Sequence, residues 1–303
     1  MRSTIEEVFR VLLAVLIPLA SFTTGLQAPR VARGETRLWR RPGQLGRDLL
    51  AVLVLVPLWV IAIVLVLPLA PAVRGGLLIA ALAVGIGPIA ALKRMKPTGA
   101  ETREALDLNL VVLFISLAFV PIAFAALAKL FHAEARITVG AVARVVLGRA
   151  LVPLLLGLGA ARLWPRLAVS AGPRLMKIIN VLLIVVFIAA IAVAWKFLAH
   201  LGGVAWIACA LAAAGAIAIG HALGGSTPGT REVVAAASVM RFPALALALA
   251  SVTREMHRVI PVIIAYILMA FVMLALYGLV MSRRTRRTRE KPVVPISAVP
   301  RHA

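Results

Sequence analysis

The chain has 303 residues, of which 62% are hydrophobic and only 15% are charged, yet its formal net charge is +22. A soluble domain is about 45–50% apolar and about 25% charged, and a nucleic-acid-binding domain needs more aromatic side chains for base stacking than the 6% present here. The composition therefore excludes a soluble enzyme and a nucleic-acid partner. It indicates an all-α polytopic membrane protein.

Nine apolar segments are long enough to cross the bilayer core, which needs a helix of about 20 residues. In chain order they are Val8–Leu26, Leu49–Leu69, Gly75–Leu92, Ala105–Ala128, Ala143–Leu163, Leu175–Leu198, Val204–Leu223, Val233–Val252 and Val259–Met281. Short linkers with proline, glycine or charge, such as those at Pro71, Pro173 and Gly202, separate them. We expect one transmembrane domain over residues 1–282 and a basic, disordered tail over residues 283–303.

The first segment could also be a signal peptide, since it is basic and apolar. Gly25 and the residues after it lead into a basic loop rather than a cleavage site, so a transmembrane span is the favoured interpretation. About two thirds of the basic residues then fall on one side of the membrane. By the positive-inside rule the N-terminus is outside and the C-terminus is cytoplasmic, in an integral protein of the cell (inner) membrane whose tail lies near anionic lipid headgroups.

Reactive residues are sparse. Cys209 is the single cysteine, the five histidines are scattered, and no nucleophile–base pair or metal-binding spacing occurs. We therefore expect no enzyme activity, no cofactor and no metal site.

Two of the predicted spans are interrupted, and a basic residue accompanies each interruption. Gly87 and Pro88 precede Lys93 and Arg94 in the third span, and Arg241 precedes Phe242 and Pro243 in the eighth. Matched interruptions in the two halves of a transporter mark its binding site. The alternatives are a simple proline kink, and, for Lys93 and Arg94, basic side chains that reach out of a span end into the interface.

The order of several motifs resembles the bile acid:sodium symporter family over residues 8–282. These motifs are Thr24-Gly25-Leu26, Arg40-Arg41-Pro42, Asp48 to Pro57, Gly87-Pro88, Pro153 to Gly157 and the Leu-Ala repeat of Ala244–Ala250. The resemblance implies two inverted five-helix repeats whose fourth and ninth helices are broken and cross at mid-membrane. With nine spans the family's first helix is missing here, and the repeats cover about residues 8–130 and 143–282.

The sodium ligands of that family are replaced in this chain. A Ser-Asn pair of the family falls on Lys93 and Arg94, a Glu and a Gln of the second crossover fall on Ala237 and Arg241, and a Gln of a neighbouring helix falls on Val52. Polar positions after the first crossover fall on Asn109 and Leu113. Because a fixed cation repels sodium and sodium needs several oxygen ligands, the resemblance implies a transporter that is not coupled to sodium at these sites.

We therefore expect a secondary transporter that binds a small organic anion at Lys93, Arg94, Arg241 and Asn109 and moves it by alternating access. Asp107 and Glu232 are the candidates for proton coupling. The alternatives are a non-transporting receptor or channel on the same scaffold, or a sodium-dependent bile acid or organic acid symporter with rearranged ion sites. Membrane lipid is an expected partner, and a homo-oligomer remains open.

Overall fold

The computed structural model describes residues 15–27 except 17, residues 42–84, single positions and short runs between 108 and 144, and residues 147–289 except 242 and 251–255. Every element in these ranges is a helix, and they contain no strand. Four of the helices are long and apolar enough to cross a membrane: Pro42–Val66, Pro165–Ala192, Gly203–Leu223 and Arg258–Arg283. The all-helical architecture expected from the composition is therefore confirmed for this part of the chain.

The helices are numbered here in chain order. They are α1 (residues 18–27), α2 (Pro42–Val66), α3 (Pro71–Leu82), α4 (Val152–Leu163), α5 (Pro165–Ala199), α6 (Gly203–Leu223), α7 (Pro228–Val239), α8 (Pro243–Ala250) and α9 (Met256–Arg289). Isolated helical positions between 108 and 144 are described without continuous bounds. Short connections join α2 to α3, α4 to α5, α5 to α6 and α6 to α7, and the turn before α6 contains Gly202, whose φ of +80° suits glycine.

Helix α2 changes its winding in the middle. Between α-helical Pro42–Leu49 and Val56–Val66, residues Leu50–Leu55 form π-helix, and the Val56 N–H donates to the Ala51 carbonyl five residues earlier. Pro57 explains this change, because its ring has no N–H and would clash with the carbonyl four residues before it. The wider π turn relieves the clash and leaves the Val52 carbonyl without a helical donor, since its partner in the π pattern is the Pro57 nitrogen.

Helix α5 differs from the sequence prediction. The predicted loop at Pro173 is wrong, because α5 runs through Pro173 without a break from Pro165 to Ala199. Gly172 allows this, since the residue before a proline is excluded from helical geometry largely by its own Cβ. A helix of 35 residues is about 52 Å long, so its first turns, with Arg166 and Arg174, extend beyond a hydrocarbon core of about 30 Å.

Three other boundaries also shift. Helix α2 begins at Pro42 rather than at Leu49, so Asp48 lies inside the helix and not in the preceding loop. Helix α3 ends at Leu82, ten residues before the predicted end of its span at Leu92. Helix α9 continues to Arg289, whereas the sequence predicts a disordered tail from residue 283. The arginines of its last turns favour this extension, because cations stabilise the C-terminal end of a helix dipole.

Helices α1 and α4 approach each other at two glycines. A Cβ on Gly25 would overlap the Leu154 carbonyl oxygen, and a Cβ on Gly157 would overlap the Phe22 carbonyl oxygen. Each glycine thus faces the carbonyl that lies three residues before the other glycine, as expected for two helices related by a two-fold axis. Small residues of this kind let membrane helices pack backbone against backbone.

The remaining long helices form the core around α6. Its inward face consists of small side chains, among them Ala205, Ala208, Cys209, Ala212 and Ala216, all of which are buried. Helix α6 packs against α7, α9 and α2, while α3 packs against α9 and α8. This arrangement brings the end of α3 and the connection between α7 and α8 into one apolar core.

Candidate functional site

The eighth predicted span is two helices with a break between them. Helix α7 ends at Val239, Met240 has extended backbone, and α8 begins at Pro243. Because Pro243 has no N–H, the Val239 carbonyl lacks the donor that a continuous helix would supply. The Tyr266 hydroxyl of α9 donates to this carbonyl at 3.0 Å instead. The interruption expected from Arg241 and Pro243 is therefore present, and a side chain from another helix stabilises it.

Arg241 lies in this break and is only 3% exposed. Its Nη1 donates to the Val52 carbonyl at 3.3 Å, which is the carbonyl that Pro57 leaves without a helical donor. The Tyr266 hydroxyl also lies close to the guanidinium. Pro57 and Pro243 thus leave the buried carbonyls of Val52 and Val239 without a helical donor. Arg241 donates to the first, and Tyr266 donates to the second. These two hydrogen bonds link the break to α2 and α9.

The same guanidinium has two donors that no described residue accepts. Arg241 Nε and Nη2 are buried without a hydrogen-bond partner among the described residues. A buried donor without a partner costs about 1–3 kcal/mol, and more when it is charged. The C-terminal end of α7 offsets part of this cost through the helix dipole, but it provides no acceptor for the two nitrogens. The open edge of Arg241 is therefore suited to an anionic ligand.

Two further polar side chains, Ser238 of α7 and Asp48 of α2, are buried, and the sequence predicts neither as a site residue. Ser238, one residue before the end of α7, is fully buried, and its Oγ has no partner among the described residues. Asp48 of α2 is 2% exposed, and its Oδ1 accepts from Gln44 Nε2 at 2.7 Å. Gln44 also donates to the Leu223 carbonyl, so the Asp48 carboxylate is held near the end of α6. The sequence-based choice of Asp107 and Glu232 as the acidic candidates therefore omits Asp48, which is a buried carboxylate.

Helices α3 and α7 correspond to each other in the two halves of the chain. Each has 12 residues, begins with a proline, follows a long apolar helix and ends in non-helical backbone. At the end of α3 lies Val84, which packs in the same apolar cluster as Val52 of α2 and Val234 of α7. The last described residues of the first interrupted span therefore pack against α2 and α7, the two helices that lead to the contact of Arg241 with Val52.

Most residues predicted for the first interruption lie outside the described residues. Gly87, Pro88, Lys93, Arg94, Asp107 and Asn109 belong to this group, and so does Phe242 of the second interruption. Their predicted roles stay predictions.

Glu232 is described, and the structure places it away from the break. It lies in the second turn of α7, about 10 Å along the helix from the last residue before the break, Val239, at 1.5 Å per residue. There it interacts electrostatically with Tyr277 of α9. The Tyr277 hydroxyl is hydrogen-bonded to His221 Nδ1 at 2.7 Å. The structure therefore assigns Glu232 to a polar cluster at the end of α6, not to the site around Arg241.

No protein-family model matches the chain, and a search of curated proteins gives no match. Its class follows from the fold: four apolar helices of 21 to 28 residues are the property of an integral membrane protein. Within this class the distinguishing feature is an arginine buried in a broken helix. Ionisable side chains at such places are rare and mark substrate or ion pathways.

Replacing Tyr266 by Phe tests the bond that holds the break. The variant removes the only described donor to the Val239 carbonyl and keeps the ring, so we expect a stability loss of about 1–3 kcal/mol. Thermal unfolding of the purified protein in detergent measures the loss. Cys209→Ala is the control, since Cys209 lies near Tyr266 but makes no hydrogen bond to the break. An unchanged midpoint for Tyr266→Phe would show that the bond does not stabilise the break.

Proposed function

We propose that the protein is a secondary transporter that binds a small organic anion at Arg241 and carries it across the membrane by alternating access. One observation carries the proposal: a buried guanidinium in a broken helix has two donors with no partner among the described residues. Membrane proteins keep such a costly arrangement where it serves a ligand or ion pathway. An anion that accepts from both donors removes their desolvation cost when it binds.

The free edge of Arg241 favours a carboxylate. Because Nη1 is already bound to Val52, the ligand meets Nε and Nη2, whose N–H bonds are nearly parallel. A planar carboxylate accepts two parallel N–H bonds in a bidentate pair, which is stronger and more specific than a contact with a single oxygen. Val52 and Val84 belong to one apolar cluster, and Val239 ends α7 two residues before Arg241, so this part of the core suits an anion with an apolar body.

Three features support a relationship to the bile acid:sodium symporter fold. The corresponding helices α3 and α7 and the reciprocal contact of Gly25 and Gly157 are what inverted repeats would produce. The glycines also belong to two of the motifs that carry the resemblance. Moreover, Arg241 and Val52, two positions that the resemblance assigns to sodium binding, are in direct contact. On this basis we propose nine spans with the N-terminus outside and the C-terminus in the cytoplasm, two crossing broken helices, and location in the inner membrane.

The same contact argues against sodium at this position. The guanidinium of Arg241 occupies the place of a cation and supplies a permanent positive charge, so an anion can bind there without a bound metal ion. In the proposed fold, Lys93, Arg94 and Asn109 lie near the other crossover and add to the positive potential that attracts the anion. Transport then follows from different affinities for the anion in the outward-facing and inward-facing states.

Uptake into proteoliposomes tests the function. We propose a panel of labelled acetate, lactate, phenylacetate and succinate, measured with sodium or with choline as the external cation and corrected for protein-free liposomes. We expect saturable uptake of at least one monocarboxylate at equal rates in the two media. Strict dependence on sodium would contradict the role of Arg241, and binding without uptake would favour a receptor.

A further inference from the structure

The Tyr266 hydroxyl contacts two groups of the break. It donates to the Val239 carbonyl at 3.0 Å, and it lies close to the guanidinium of Arg241. The side chain of Tyr266 is 1% exposed, so both interactions are shielded from water. Because the nitrogens of a guanidinium are held in one small plane, a hydroxyl beside this group is also near a carboxylate that binds to Nε and Nη2.

The Tyr266 hydroxyl offers such a ligand an acceptor and not a donor. A phenol has one proton and also accepts through its oxygen, and the proton of Tyr266 is already bound to the Val239 carbonyl. Rotation of this proton toward an anion would leave the carbonyl unpaired, since Pro243 has no N–H to replace the hydroxyl. An unpaired buried carbonyl is unfavourable, so the lone pairs of Tyr266 remain available to the ligand.

A carboxylate with a hydroxyl on the neighbouring carbon matches this pair of groups. Its carboxylate accepts from Arg241 Nε and Nη2, which have no acceptor among the described residues. Its hydroxyl, which is held near the carboxylate by the short carbon chain, donates to the Tyr266 oxygen. An acid without the hydroxyl instead places its own oxygens near the lone pairs of Tyr266 and leaves a buried acceptor without a partner.

We propose that the preferred substrates are 2-hydroxy carboxylates and that Tyr266 is the residue that selects them. This inference rests on the proposed function at Arg241. Arg241 binds the carboxylate through two parallel N–H bonds, and Tyr266 accepts the hydrogen bond from the substrate hydroxyl. A site whose buried polar groups bind a substrate hydroxyl discriminates against the analogue that lacks it, because those groups are then left unpaired.

Ser238, the neighbour of Val239 in the chain, also carries a buried hydroxyl, but this hydroxyl faces another helix. A Cβ on Gly220 of α6 would overlap Ser238 Oγ, so Ser238 packs against α6, whereas Tyr266 belongs to α9. Ser238→Ala therefore removes a buried hydroxyl next to Val239 without removing the acceptor beside Arg241. It is the matched control for Tyr266→Phe.

Two pairs of acids that differ by one hydroxyl test the proposal: lactate with propionate, and mandelate with phenylacetate. Equilibrium binding to the purified wild-type protein is expected to be about 2- to 10-fold tighter for the hydroxy acid of each pair. In Tyr266→Phe the ratio of the two affinities is expected to fall to one or below, and in Ser238→Ala it should equal the wild-type ratio. Because the ratio compares two ligands on the same protein, a lower stability of Tyr266→Phe does not change it.

Infrared spectroscopy provides a second readout that keeps Tyr266 in place. The chain has two tyrosines, so in Tyr277→Phe with 13C-labelled tyrosine the C–O stretching band belongs to Tyr266 alone. Lactate is expected to lower the frequency of this band, and propionate is not. Equal affinities within each pair of acids in the wild type would overturn the substrate class but leave carboxylate binding at Arg241 intact. A wild-type ratio in Tyr266→Phe, or a band that lactate leaves unchanged, would overturn the assignment to Tyr266. Absence of any carboxylate binding would instead overturn the proposed function.

Discussion

Replacement of Arg241 by Met is expected to abolish anion binding without lowering thermal stability. Removal of one partner from a buried, hydrogen-bonded charge pair weakens binding by about 2–5 kcal/mol, so affinity should fall more than about 30-fold. The empty protein responds differently, because an apolar side chain of similar volume removes buried donors that no described residue accepts, which is stabilising by about 1–3 kcal/mol. Loss of the bond to the Val52 carbonyl costs about 1–3 kcal/mol, and the two effects nearly cancel.

The measurements are equilibrium binding of the labelled carboxylate and the unfolding midpoint in detergent without ligand. Arg74→Met on α3 is the matched control, since Arg74 is exposed and its loss should change neither quantity. Arg241→Lys should bind more weakly than the wild type, because lysine keeps the charge but lacks the parallel pair of donors. A large drop in the midpoint of Arg241→Met together with unchanged binding would show that Arg241 is a structural residue.

Replacement of Gly157 by Ala is expected to separate α1 from α4. The added methyl group would overlap the Phe22 carbonyl oxygen, and backbone atoms cannot rotate away as a flexible side chain can. Overpacking of this kind costs about 1–3 kcal/mol, which exceeds the gain of up to about 1 kcal/mol from replacing glycine by alanine within a helix. Gly25→Ala should behave in the same way, because its methyl group would overlap the Leu154 carbonyl.

Gly159 provides the control on the same helix. A Cβ at Gly159 meets nothing within 4 Å, so Gly159→Ala should keep or raise the unfolding midpoint. The three variants differ in packing and not in helix propensity. Equal midpoints for Gly157→Ala and Gly159→Ala would contradict the close approach of α1 and α4, and with it one of the features that support inverted repeats.

Sequence reasoning located the break because local chemistry determines it. Pro243 removes a backbone donor, and a charged residue two positions earlier in an apolar span is rare enough to indicate a site. The partner of Arg241 was not predictable in the same way, because Val52 lies 189 residues away in the chain and binds through a backbone carbonyl. A carbonyl is present at every residue, so its availability depends on the π turn before Pro57.

Asp48 and Pro173 show where hydropathy misleads. The apolar run begins after Asp48 and therefore predicts that this residue precedes the helix, yet α2 starts earlier and buries the carboxylate near the end of α6 through Gln44. Pro173 predicts a linker, yet the preceding glycine lets the helix continue. In both cases the helix extends past the apolar run, because helix ends are determined by backbone geometry and packing rather than by hydropathy alone.

An experimental structure with the transported carboxylate bound tests the assignment of the site most directly. The acid is the member of the uptake panel with the highest affinity. The carboxylate oxygens are expected within about 3 Å of Arg241 Nε and Nη2, with Nη1 still bound to the Val52 carbonyl and the break between Val239 and Pro243 unchanged. A carboxylate bound elsewhere, with Nε and Nη2 held by groups of the protein itself, would contradict the assignment of Arg241 as the anion-binding residue.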